Sequence, residues 1–183
     1  MTIIAAAEDT TGYWIASDSQ GGSNGTFIEL GSKLIRKYNY IIGFSYSYRV
    51  RDIILESDKF PKTIGSIKGF RKFRDILKEL MLDDGCLVTA GSSETLLHPI
   101  SLIVISHSGI YMMEGDYQIH KIENGYASVG SGIEVGLGAL KATLATTRSA
   151  QQAVEEAVSA AILHNSTCGG NIHKDYIPKK GYK

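Results

Sequence analysis

Cysteine is scarce. The two present, Cys86 and Cys168, lie far apart, form no CxxC pair and have no zinc spacing. This excludes a disulfide scaffold and a cysteine-rich metal site, and it fits a reducing, cytoplasmic setting. An excess of one charge is also missing. With 19 basic and 19 acidic residues the net charge is zero, so there is no general nucleic-acid or acidic-membrane footprint. Long hydrophobic runs are absent too. The longest, near Ile100–Ser106, is too short to span a bilayer. The opening MTIIAAAEDTTG lacks a basic n-region, and Glu8 and Asp9 break its apolar run, so it does not read as a signal peptide. Several catalytic signatures are missing as well. There is no HExxH, no GxSxG and no GxxxxGK[ST], and the histidines His98, His107, His120, His164 and His173 make no metal pattern. No metal or organic cofactor is expected, and ATP hydrolysis by this chain is not.

What remains is an ordinary globular composition, 43% hydrophobic and 21% charged over 183 residues. That suits a single domain covering 1–183 with a real core. Lys174, Lys179, Lys180 and Lys183 crowd the C-terminus and read as solvated charge, with a short basic tail from about residue 178.

The first half reads as strands. Thr2–Glu8 and Tyr13–Asp18 flank the turn-rich Asp9–Gly12 and form a hairpin. Gly21–Gly25 is a loop signal. Lys33–Lys37 and Tyr40–Ser45 form a second pair around Tyr38–Asn39. Two helices follow. Val50, Ile53 and Ile54 share a face of the first, which stops before Pro61. Phe70, Phe73, Ile76, Leu77 and Leu80 recur at helical spacing in the second. Strands return at Cys86–Ala90, Ile100–Ser106, Ile110–Glu114, Gln118–Ile122 and Tyr126–Val129. Ile133, Leu137, Leu140 and Leu144 mark a third helix. Ser149, with Gln152 three residues on, caps a fourth that ends near Asn165. Asn171–Ile177 is a last strand. Strands, two helices, strands, two helices and a strand do not alternate as a doubly wound sheet does. Two helix pairs can instead cover two stacked antiparallel sheets, giving an α+β fold of four layers, αββα.

Five positions could carry chemistry. An internal threonine hydroxyl lacks a base, but an N-terminal threonine carries its own, the α-amine. That amine has a pKa of about 8, so a useful fraction is neutral near pH 7. Thr2 becomes such a residue if Met1 is removed, and its small side chain suits removal, although a Met-Thr start alone signifies little. Lys33 could depress that amine's pKa and stabilise an alkoxide, and Asp18 could keep Lys33 charged. Gly43, in IIGFS, is open to two readings: a backbone N–H for an oxyanion, or close packing. Gly130-Ser131-Gly132 precedes a helix. With Gly136 its spacing is GxGxxxG rather than a dinucleotide fingerprint, and a second helix follows instead of a strand. Ser131 could cap that helix or point into a site.

Thr2, Asp18, Lys33, Gly43 and Ser131, in this order, resemble the proteasome β-type family over about Thr2 to Ile177. The DxQ segment Asp18–Gln20 and the short start are most similar to its HslV-type branch. The resemblance implies an αββα sandwich assembled into homo-oligomeric, stacked rings around an inner chamber. It implies a threonine-type endopeptidase acting on peptides or unfolded proteins, with an ATP-dependent unfoldase as partner. It makes Thr2 the nucleophile, Asp18 and Lys33 the charged pair, Gly43 the oxyanion donor, and Ser131 a hydrogen-bond partner near the amine. It also implies that Gln20, Gly21, Gly22 and the Gly43–Ser45 edge hold substrate as an added strand, with Gly31 near the specificity pocket. Two departures stand out. Asn165 replaces an aspartate common in the family, and Tyr46 stands where a glycine often follows the oxyanion strand. Two alternatives are a non-catalytic ring subunit of the same fold and an amidase acting on a small amide through the same nucleophile.

Overall fold

The structure, a computed structural model, describes residues 2–23, 26–45, 47–90, 93–96, 100–147 and 149–181, leaving aside the side chains of Ser23, Thr26 and residues 87–96. Six strands come first: β1 (Ile3–Glu8), β2 (Gly12–Ser17), β3 (Gln20–Ser23), β4 (Thr26–Glu29), β5 (Leu34–Lys37) and β6 (Tyr40–Phe44). Helices α1 (Tyr48–Glu56) and α2 (Ile67–Asp83) follow. Next are β7 (Leu87–Ala90), β8 (Ser93–Leu96), β9 (Leu102–Ser106), β10 (Gly109–Met113), β11 (Ile119–Lys121) and β12 (Tyr126–Gly130). Helices α3 (Ile133–Thr147) and α4 (Ala150–His164) and strand β13 (His173–Pro178) complete the chain.

Two antiparallel sheets are stacked. One has the order β12-β1-β2-β13 and the other β11-β10-β9-β6-β5. Alternation along β1 shows how they share the core. Ile4 and Ala6 point between the sheets, with Ile15, Ile41 and Ile103. Ile3, Ala5 and Ala7 point the other way, against Val154, Ala157 and Ala161 of α4. A sheet whose two faces are both covered reads as continuously apolar, as IIAAA does. The aromatic face of α2, Phe70 and Phe73 with Leu77 and Met81, covers the other sheet. The expected four-layer αββα architecture is therefore present.

The expected α4 cap is present: Ser149 Oγ accepts from Gln152 N at 3.3 Å. The face expected of α3 differs. Leu140 is buried, but Ile133 and Leu137 are 36% and 37% exposed. The helix meets the sheet through glycine instead. A Cβ on Gly136 would lie 2.7 Å from both Ile3 Cδ1 and Ser128 Oγ, and one on Gly132 would lie 3.0 Å from Ala161 Cβ. The near-fingerprint glycines thus set a close helix–sheet approach. The loop expected over Gly21–Gly25 also differs. Its first part is strand β3, paired with β4 as a two-stranded hairpin; Asn24 and Gly25 lie outside the described residues.

Candidate active site

Thr2 sits at the foot of β1 and is 3% exposed. The chain reaches it from two sides. Gly132 N donates to Thr2 O at 3.2 Å, and Thr2 N donates to Ser131 Oγ at 3.2 Å. Gly130 makes this approach feasible. Its φ is 100°, a region that side chains disfavour, and a Cβ there would fall 2.1 Å from Thr2 O.

Asp18 follows the last residue of β2 and is fully buried. Its Oδ1 accepts from Lys33 Nζ at 2.5 Å and from Ile3 N at 3.1 Å, while Oδ2 accepts from Gly169 N at 3.1 Å. One carboxylate thereby ties the start of β1, the residue before β5 and the turn after α4. Lys33 is 1% exposed. Burial pushes its pKa below the ordinary lysine value, and the Asp18 charge and hydrogen bond oppose that shift. An ammonium held this way shares an acceptor oxygen with the amide next to Thr2.

A third group lies after α4. Asn165 Nδ2 donates to Ser131 O at 2.7 Å, and Asn165 Oδ1 accepts from Thr167 N at 3.0 Å and Thr167 Oγ1 at 2.6 Å. Thr167 Oγ1 in turn lies 2.6 Å from Ser131 Oγ. Cys168 is buried, with Sγ 3.9 Å from Ser131 Oγ. Burial and then the Asp18 charge push its thiol pKa up, so it is a packed thiol rather than a ready nucleophile.

Thr2, Asp18, Lys33 and Ser131 are therefore brought together, as expected. Gly43 is placed differently. A Cβ on it would meet Ile4 Cγ2 at 2.5 Å and Ile15 Cδ1 at 3.0 Å, so its missing side chain makes room for the facing sheet. Its N–H is also committed. Ser45 N donates to Ser101 O, and Gly43 pairs with Ile103 two residues along the same β6–β9 ladder. Antiparallel alternation then directs Gly43 N–H at β9. The packing reading of Gly43 holds, with a sheet rather than a helix as neighbour, and the oxyanion assignment does not.

The Gly43–Ser45 segment is likewise no free edge. β6 lies between β5 and β9, and Ser45 is tied to Ser101 through both N and Oγ, the latter at 3.1 Å from Ser101 O. Tyr46, where the chain leaves this strand, lies outside the described residues. Gln20, Gly21 and Gly22 lie in β3, and Gln20 N donates to Gly169 O at 2.9 Å, which attaches the hairpin to the Asp18 turn. Gly31 has φ 83° and open space where a Cβ would stand.

Sequence reasoning missed two groups. Thr167 bridges Asn165 and Ser131, and nothing in its neighbours marks it. Tyr48, at the start of α1, has a buried hydroxyl without a hydrogen-bond partner among the described residues. Burial and then the Asp18 charge push its pKa up to about 12. No group of three or more His, Cys, Asp and Glu side chains that could hold a metal occurs among the described residues. No helix among them is long and apolar enough to cross a membrane.

This backbone occurs in solved structures. BPH of Thiobacillus denitrificans superposes with a TM-score of 0.85 over 98% of this chain and 99% of its own, at 15% identity. The same protein in complex with epoxomicin gives 0.82 over 96% and 98%, at 16% identity. Eukaryotic HslV from Trypanosoma brucei gives 0.74 over 96% and 99%, at 17% identity. The fold is the HslV and proteasome type. No family model and no curated protein matches the sequence, so the likeness is carried by the HslV-type backbone rather than by residue identity. The expected similarity to the proteasome β-type family holds at that level.

Proposed function

We propose that this chain is a threonine-type endopeptidase subunit that acts through Thr2 once Met1 is removed. The supporting observation is the convergence on Thr2 of Ser131 at its nitrogen and of the buried Asp18–Lys33 pair one residue away. The neutral α-amine of Thr2 takes the proton of its own hydroxyl, and the oxygen attacks a peptide carbonyl to give an acyl-enzyme. The expelled product amine receives that proton. Water, deprotonated by the same amine, then attacks the ester and restores Thr2. Lys33 favours the neutral amine and the developing alkoxide by its charge. The chemistry requires no metal or organic cofactor.

The backbone likeness to HslV supports peptide or unfolded-protein substrates, a homo-oligomeric assembly of stacked rings, an ATP-dependent unfoldase partner and a cytoplasmic setting. Gln20, Gly21 and Gly22 remain the proposed substrate strand, with Gly31 at the specificity pocket. Thr2→Ala tests the proposal. Peptide hydrolysis by the purified variant should disappear while its oligomeric size is kept. Hydrolysis at the wild-type rate would overturn the proposal. A second reading, a non-catalytic ring subunit, draws on Gly43, whose N–H is spent in the sheet. It predicts no covalent adduct on Thr2 with an acylating peptide.

A further inference from the structure

Resting on the reading of Thr2 as the working N-terminal residue, we propose that Thr167 is a positioning residue that fixes the Ser131 hydroxyl as a hydrogen-bond acceptor toward the Thr2 nitrogen. The direction follows from one backbone carbonyl. Ser131 O can only accept, so the Asn165 side-chain atom 2.7 Å from it is the amide nitrogen. The other atom of that amide is then the oxygen, as its contact with Thr167 N at 3.0 Å also requires. Asn165 Oδ1 can only accept, so the Thr167 hydroxyl donates its single hydrogen there, at 2.6 Å. Thr167 Oγ1 has only lone pairs left for Ser131. The 2.6 Å contact between the two hydroxyls is therefore Ser131 donating to Thr167. Ser131 Oγ then presents a lone pair to Thr2 N, 3.2 Å away. The longer 3.4 Å approach to Thr2 O is the alternative use of the same hydrogen.

This polarity matters for a base. A neutral amine has one lone pair. If Ser131 donated to it, that lone pair would be occupied and unable to take the Thr2 hydroxyl proton. With Ser131 held as acceptor, an amine N–H is engaged and the lone pair stays free. Asn165 thus preserves the direction of the relay without a negative charge. Lys33, Asp18, Cys168 and Tyr48 are the other titratable groups around this pocket, and none is altered in the test.

The test titrates the Thr2 α-amine of the Met1-free full chain by nitrogen-15 NMR and records the pH profile of kcat/KM for a peptide. Thr167→Val removes the hydroxyl and frees Ser131 to donate to the neutral amine. The amine midpoint should fall by about half to one pH unit, and kcat/KM should drop while the acidic limb moves the same way. Thr167→Ser keeps the hydroxyl and should restore both. Coincident midpoints for wild type and Thr167→Val would overturn the proposal. So would an equal shift in Thr167→Ser. If Thr167→Val fails to fold, Thr167→Ala takes its place with the same expectation. A chain without peptidase activity that still shows the midpoint pattern would refute the enzymatic reading alone.

Discussion

Asp18 and Lys33 form an ion pair at 2.5 Å with side chains 0% and 1% exposed. The same Asp18 oxygen also accepts the Ile3 amide at 3.1 Å. The pair therefore supports the fold and the site together. Lys33→Met leaves a carboxylate buried without its cation and should cost about 3–5 kcal/mol. Asp18→Asn should cost a similar amount. The double variant should cost clearly less than the sum, because no lone charge remains. Urea unfolding of the four proteins measures this; additive costs would show the pair to be uncoupled.

Gly43 separates packing from catalysis. Gly43→Ala places a Cβ 2.5 Å from Ile4 Cγ2 and should destabilise by about 1–3 kcal/mol. Thermal unfolding should register that loss. At temperatures where the variant stays folded, kcat should change little. A large fall in kcat with an unchanged melting midpoint would restore Gly43 to the oxyanion role.

Much of this was legible in sequence. Alternation and helical spacing located the β1–β2 hairpin, both helix pairs and the succession of strand and helix blocks along the chain. Thr2, Asp18, Lys33 and Ser131 stood out together through their resemblance, in this order, to the proteasome β-type family. The rest depended on contacts that a linear pattern does not carry. Gly43 looks the same whether its bare Cα faces a ligand or Ile4. Ile133 and Leu137 fit a helical stripe, yet Gly132 and Gly136 decide which side docks. The Gly21–Gly22 pair reads as a loop until Gln20 N is seen bound to Gly169 O. Thr167 has no signal of its own, since its role arises from Asn165 folding back on Ser131.

Asp9 gives a pH prediction. Its Oδ1 accepts from Thr11 N at 2.8 Å, Thr11 Oγ1 at 2.7 Å and Gly12 N at 3.2 Å, and its Oδ2 accepts from Ala150 N at 3.1 Å. Burial works to raise its pKa, but these hydrogen bonds together hold it below 3.8. A depressed folded pKa gives stability that is present above the unfolded value and lost as pH falls through the folded one. The stability gap between wild type and Asp9→Asn should therefore be widest near neutral pH. It should narrow as pH falls from about 4. A gap constant with pH would contradict this.

Tyr48→Phe removes a buried hydroxyl that has no hydrogen-bond partner among the described residues. Its thermal midpoint should be unchanged or higher. A loss of more than about 1 kcal/mol would mean that the hydroxyl has a protein partner.

The central claim is that a free Thr2 amine is the base. Its most direct test compares Met1-free protein with protein that retains Met1, each verified by intact mass, in the same peptide hydrolysis assay. Retained Met1 turns the base into an amide nitrogen without basic character. Turnover is predicted only in the Met1-free form, with an acyl group trapped on Thr2. Equal turnover by both forms would contradict the account.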